Sequence, residues 1–435
     1  MRGILRNFGL LVRARGLVAL LAFGATTLTA RALGPAEFGI VVLIHAYVEV
    51  VRGLLNFQPF EAIVRFGVPL HDAADPVRLA RLARLCRWVD SRSSRLATLV
   101  AVLAAPLLGP LFRLDDWQTG LLAAYSLTLL ATGNGTANGL LRLYDRFDAL
   151  GAQMMLGPVI RVCGTVAVFL LDGTLTAYVA VWGAAFLAEN VYMSWLGARE
   201  FRARLAAEAR EAGDGPRPGF AEFPGLRPFL WVTYWQSNVD LLQKHVSTLL
   251  AGYLLGLSGA GLFRLAREIS SLLARPAELI RQVVFLDLTR SWNQRHDDFG
   301  PIALKTAALC AAAGLLLVVT ASVGGSALLG RFAGEAYTAA APLLSLMFVA
   351  ATLDLAGSPL RAAAYAIGRA GDVLKLHGVA AALYVALFFV LTRYAGLEGA
   401  GLATCLAAAV PTAGMLVMVL RRPRHVPPPG DPPSR

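Results

Sequence analysis

Apolar runs of about twenty residues recur along almost the whole chain, and about twenty is the number a helix needs to cross the hydrocarbon core of a bilayer. Twelve can be drawn: 12–32, 38–58, 95–113, 118–141, 151–171 and 176–198, then 229–256, 262–286, 302–324, 340–362, 374–393 and 399–420. Barrel strands would alternate in segments of about ten residues, a pattern the chain does not carry. Only 16% of the 435 residues are charged, against about 25% in an average soluble domain. These features predict an all-α polytopic membrane protein.

The spans are joined by short connections except at 59–94 and 199–228. The second of these, REFRARLAAEAREAGDGPRPGFAEFPGLRPF, is charged and rich in Pro and Gly, which marks a linker. The predicted organisation is a bundle over 1–198, a cytoplasmic linker over 199–228, a bundle over 229–422 and a disordered, proline-rich tail over 423–435. Residues 1–32 imitate a signal peptide, with Ala30-Arg31-Ala32 as an A-x-A site. They are read as a retained helix because their loss would break the repeat described next.

A net charge of +12 could mark a nucleic-acid binder, but the basic residues are sorted by topology. Of the 40 lysines and arginines, 29 fall in segments on the side of the N-terminus. Six fall at opposite loops and helix ends, and five lie within spans. The positive-inside rule therefore predicts both termini in the cytoplasm. Landmarks also recur at a nearly fixed offset. LGPAEFG at 33–39 is echoed by LSGAGLF at 257–263, LRLYDRFDALG at 141–151 by LRAAAYAIGRAG at 360–371, and the turn at Asp172-Gly173 by Gly396. Six spans per half is an even number, so the two six-helix bundles are expected to be parallel repeats about a pseudo-two-fold axis along the membrane normal.

Against this apolar background, residues 264–282 place Arg264, Arg267, Glu268, Arg275, Glu278 and Arg281 within the eighth span. Six charges facing lipid would cost on the order of 15 kcal/mol on insertion scales. Arg264, Glu268, Ser271, Arg275, Glu278 and Gln282 step by three or four residues and so share one helix face. Arg275 lies roughly 16 Å along the axis from Arg264, too deep to reach water easily. Pro276 is expected to bend the helix. The seventh span carries Thr233, Gln236, Asp240, Lys244 and Ser247 on one face, and the second span His45, Glu49, Arg52 and Asn56. Such stripes can line a wet cavity. The alternatives are snorkelling of Arg264, Arg267 and Arg281 to the nearer surface, and ion pairs Glu49–Arg52 and Asp240–Lys244 that fix packing. On the eighth-span stripe arginines outnumber glutamates, so the reading is a basic cavity suited to a phosphate or pyrophosphate headgroup. Arg161, Glu189 and Asp354 read as isolated. Cys86, Cys163, Cys310 and Cys405 read as small apolar side chains without disulfide roles, and no metal-ligand spacing or cofactor motif occurs.

TARALGPAEFGIVVLI at 29–44 and GAGLFRLAREISSLLARPAELIRQVVFLDLTR at 259–290 resemble the bacterial polysaccharide transporters, the O-antigen and exopolysaccharide flippases of the multidrug/oligosaccharidyl-lipid/polysaccharide exporter superfamily. The resemblance covers nearly the whole chain. It implies a flippase that moves undecaprenyl-pyrophosphate-linked oligosaccharide across the bacterial inner membrane by alternating access, with polysaccharide polymerase and other biosynthesis proteins as further partners. It also implies that basic cavity residues, here Arg52, Lys244, Arg264, Arg267 and Arg275, hold the pyrophosphate or acidic sugars. Gln236, Asn238 and Trp235 would meet the sugars, and Glu49, Asp240 or Glu268 could carry coupling ions or protons. Lipid II flippases usually have two more helices than the twelve drawn here. An organic-cation antiporter of the same superfamily would call for an acidic cavity. A membrane polymerase or ligase would call for a sizeable outer loop and a nucleophile–base arrangement, neither of which the sequence displays. The protein is therefore expected not to be an enzyme.

Overall fold

The computed structural model describes residues 2–57, 59–211, 218–241, 245–293 and 299–421, with side chains outside 2–15, 208–211, 236–241 and 273–293. The tail at 423–435 lies outside the described residues. In chain order the helices are α1 (Arg2–Leu55), α2 (Phe60–Asp72), α3 (Pro76–Leu111), α4 (Asp116–Ser126), α5 (Gly135–Leu143) and α6 (Phe147–Leu170). They continue as α7 (Leu175–Glu211), α8 (Leu226–Leu241), α9 (Ser247–Asn293), α10 (Phe299–Ala333), α11 (Ala341–Ala366) and α12 (Ala370–Leu420). No strand occurs among the described residues. Helices are what the apolar composition demands, because a spanning segment must satisfy every backbone N–H and C=O internally.

The twelve predicted spans map onto these elements. α1, α9 and α12 each contain two helical runs joined at a glycine in the left-handed half of φ space: Gly34 (φ 70°, ψ 174°), Gly256 (φ 74°, ψ −172°) and Gly396 (φ 56°, ψ −133°). Only glycine adopts such backbone without strain. The fourth span is α4 and α5 with a 3₁₀ turn, Leu127–Thr132, between them. The seventh is α8 with the start of α9. Within α9 the break in helical backbone is at Gly256, and the chain at Pro276 belongs to the helix.

The internal repeat is written in the backbone. Positive-φ residues pair at nearly constant spacing: Gly34 with Gly256, Arg113 with Gly334, Asp145 with Gly368, and Asp172 with Gly396, separated by 222, 221, 223 and 224 positions. Each pair ends equivalent spans in the two halves.

Two long connections carry more structure than their polarity predicts. Residues 59–94 form α2 and the first turns of α3, started by Asp75, whose carboxylate accepts from the Arg78 N–H at 3.0 Å. Residues 199–211 continue α7, since ARLAAEARE consists largely of good helix formers. α2 lays Ala62 and Ile63 against Leu79, Leu82 and Cys86 of α3, and Phe223 and Leu226 from the end of the linker, with Leu230 just beyond it, complete that buried cluster. Arg81 of α3 clamps Glu222 through two nitrogens, at 2.6 and 2.9 Å.

The chain packs as two units, Met1–Gly261 and Leu262–Arg435. This packing boundary lies beyond the linker, because α8 and the start of α9 rest on α1 and α2. Phe57 stacks on Tyr234 at 4.6 Å, Phe66 meets Phe229 edge-on at 5.8 Å, and the Tyr234 hydroxyl donates to the Leu54 carbonyl. Near Gly256 the approach is backbone to backbone. The Leu257 carbonyl fills the position of a Cβ on Gly39, and the Pro35 carbonyl that of a Cβ on Gly261. In the second unit, α10, α11 and α12 pack through small residues, with Gly314 against Thr352, Gly357 against Thr412 and Gly401 against Leu346. Ala303, Ala362, Ala363 and Met415 form its buried cluster with Phe299 and Val373.

Candidate functional site

The second half of α1 projects His45, Glu49 and Arg52 from one face, as their spacing requires, into a cavity of about 310 Å³ inside the first unit. Arg52 Nη1 reaches Glu49 Oε1 at 3.2 Å, three positions away on the helix, with both side chains largely covered. The Arg52 guanidinium also lies 5.8 Å from the Phe186 ring centroid.

Opposite them stand residues of α6 and α7. Arg161 lies over the buried ring of Trp182 at 4.4 Å, a cation–π contact worth about 0.5–2 kcal/mol. The Trp182 indole N–H points to Thr29 Oγ1 at 3.4 Å. Glu189 sits against Gly157, whose missing side chain makes room for the carboxylate. Gln153 Nε2 donates to Glu189 at 3.3 Å to its carbonyl and 3.4 Å to Oε1. Amides complete the wall: Asn134 Nδ2 donates to Asn190 Oδ1 at 2.8 Å, and Asn190 Nδ2 donates to the Phe186 carbonyl. His45 Nδ1 is 2.9 Å from the Tyr125 hydroxyl, with its ring edge-on to Trp182 and Phe186.

A second polar network underpins the break between α4 and α5. The Asp90 carboxylate accepts from the Thr136 N–H at 2.7 Å and from its hydroxyl at 2.6 Å, which caps the start of α5. Asn56 donates to Thr132 and accepts from Ser93 at 2.8 Å. Asn56, predicted as part of the polar stripe, is therefore buried structural glue beside the cavity.

The cavity's charges balance: Arg52 and Arg161 against Glu49 and Glu189. Glu189 and Arg161, read as isolated, join the Glu49–Arg52 pair here, while the basic excess expected on the eighth-span stripe involves Arg275, whose side chain lies outside the described part. In the second unit, Arg264 Nη2 pairs with Glu268 Oε2 at 2.9 Å, so those two also cancel, and Arg267 lies on the neighbouring turn. The backbone of Arg275 is helical, but its side chain falls outside the described part, as do those of Gln236, Asn238 and Asp240. Lys244 lies outside the described residues altogether. Trp235 is 63% exposed, edge-on to Tyr234, and is not among the cavity lining.

The lining is dense in both donors and acceptors, with aromatic faces at Phe60 and Phe186, which suits a polyhydroxylated ligand. Among the described residues no group of three or more His, Cys, Asp or Glu could hold a metal ion. The four cysteines are free thiols.

A structure of an inward-facing multidrug resistance MATE family transporter of the MOP superfamily matches with a TM-score of 0.68 at 16% identity over 94% of both chains. Lipid II flippase MurJ in an inward closed conformation matches with a TM-score of 0.72 at 14% identity, over 94% of this chain and 87% of MurJ. The chain has the fold of the MATE transporters and of MurJ. These similar structures are transporters and a flippase rather than enzymes, and the chain is a multi-pass, all-helical membrane protein. At the level of sequence, Inner membrane protein YghQ of Escherichia coli (strain K12) is 26% identical over 343 residues, or 79% of this chain and 96% of YghQ. No protein-family model matches.

Proposed function

We propose that the protein is a flippase that carries undecaprenyl-pyrophosphate-linked oligosaccharide repeat units, the precursors of O-antigen, capsule or exopolysaccharide, across the bacterial inner membrane. The observation that carries this reading is the cavity lined by α1, α2, α5, α6 and α7, with balanced charges, four amides and aromatic faces. Sugar hydroxyls exchange their water for such a mixed lining at little cost, because each donor and acceptor finds a partner. The pyrophosphate requires cationic forks, which Arg52, Arg264, Arg267 and Arg275 supply in this reading, with Lys244 as a further cation. Gln236, Asn238 and Trp235 extend the sugar contacts. The two repeats, 1–198 and 229–422, rock about the linker with both termini in the cytoplasm.

A cation-coupled antiporter is the second reading, and the two cavity carboxylates Glu49 and Glu189 favour it. Glu49, Asp240 and Glu268 serve as coupling groups in either case. Leaflet-resolved lipid analysis after depletion of the protein in its host separates the two. Finished lipid-linked units trapped on the cytoplasmic side are expected for the flippase. Unchanged lipid-linked sugars would move the assignment to the antiporter, and units that reach the outer leaflet but stay unpolymerised would point to an enzyme.

A further inference from the structure

On the outside of the first unit, at the end that holds the linker, the final turn of α1, the middle of α3 and the start of α8 enclose a groove of about 280 Å³. It is separate from the charged cavity. Its floor is apolar, with Leu55, Val89 and Leu230, and its rim carries Arg92 and Arg227. Trp88, Leu96 and Trp231 line it while remaining 51%, 51% and 47% exposed.

Three features point to a membrane lipid with an anionic head. The groove sits where the spans drawn from the sequence at 95–113 and 229–256 begin, which puts it at the membrane–water boundary those spans imply. Half-exposed tryptophans at that depth are the mark of an interfacial belt. Its cations are arginines, whose planar forks match phosphate oxygens. Among the described residues no carboxylate lines the groove, and neither Arg92 nor Arg227 forms an ion pair. The Arg92 guanidinium instead rests over the Trp88 ring at 5.5 Å, which holds it at the rim.

We propose that this groove binds an anionic phospholipid, its phosphate held by Arg92 and Arg227 and an acyl chain lying along Leu55, Leu96 and Leu230. The site is independent of the transported cargo. Because Phe57, Leu230 and Trp231 also hold α8 against α1, an occupied groove would brace the entry into the second half of the chain.

The test is native mass spectrometry of the purified full chain with phosphatidylglycerol and phosphatidylcholine of matched chains in competition. The expected result is several-fold preferential retention of phosphatidylglycerol, weakening as salt rises. The Arg92→Gln/Arg227→Gln variant is expected to lose that preference, and Arg78→Gln, an exposed arginine outside the groove, to keep it. Both substituted arginines are exposed, and the wild-type competition alone decides the lipid preference even if the double variant folds poorly. Equal retention of the two lipids by the wild type, or an undiminished preference in the double variant, would overturn the proposal. Stronger retention of a polyprenyl phosphate than of phosphatidylglycerol would overturn the occupant assigned here.

Discussion

The carbonyl of Leu257 occupies the space that a side chain on Gly39 would need. Two helical runs more than 200 residues apart in sequence thereby touch through their backbones, just after the equivalent bends at Gly34 and Gly256. Gly39→Val must push them apart, and overpacking of this kind costs about 1–3 kcal/mol. Thermal unfolding in detergent is expected to show a lower Tm for Gly39→Val and little change for Gly24→Ala, where a Cβ meets nothing within 4 Å. An unchanged Tm for Gly39→Val would mean that this crossing is not close-packed in the membrane protein itself.

Glu189 holds its place in the cavity because Gly157 leaves room for it. Gly157→Ala displaces the carboxylate from Gln153 without removing any charge. Transport is expected to fall about tenfold, equivalent to about 1.4 kcal/mol, with Gly151→Ala, in open space on the same helix, as the neutral comparison. Equal transport by the two variants would remove Glu189 from the working site.

Asp90 is expected to dominate the local stability of the α4–α5 break. Asp90→Ala removes a helix cap and leaves the Thr136 N–H and hydroxyl without their acceptor, a loss of about 2–3 kcal/mol. Thr136→Val removes only the hydroxyl bond, one of the two that Asp90→Ala removes, so it should add little in the Asp90→Ala background. Additive losses in the double-mutant cycle would mean that the two residues act separately.

The Arg81–Glu222 clamp fastens the far end of the linker to α3. Arg81→Ala and Glu222→Gln are each expected to accelerate protease cleavage near residue 222, and the double variant to be no more sensitive than either single one. Cleavage at the wild-type rate would show that the aromatic contacts of Phe220 and Phe223 hold the segment alone.

Orientation is open to direct test in a cysteine-free background. Asp115→Cys, between α3 and α4, is expected to react with an impermeant thiol reagent in cells with an intact inner membrane, whereas Gly219→Cys is expected to react only after lysis. The opposite pattern would invert the topology drawn from the arginine distribution.

The sequence by itself determined the helices and much of their order. In a bilayer each spanning segment satisfies its own backbone, so run length and turn residues suffice to locate it, and the repeat was readable from the motifs around Gly34 and Gly256. The stripe His45, Glu49, Arg52 was equally legible, because helical periodicity is a local property. Polarity was a poorer guide to α2, which is amphipathic and joins a buried cluster, and to the helical continuation of α7.

Only the tertiary structure decided what the charges do. Arg161 and Glu189 stand alone in their own helices, and nothing within a few residues of either predicts a partner. They meet the Glu49–Arg52 pair because small residues such as Gly157 and Gly164 let α6 and α7 approach closely, and that packing joins residues more than 100 positions apart. In the first unit the Glu49–Arg52 pair, which balances on its own helix, gains a second balanced set of charges from Arg161 and Glu189. Buried charge is tolerated only where opposite charge and hydrogen-bond partners surround it, and that condition belongs to the packed bundle rather than to any one segment.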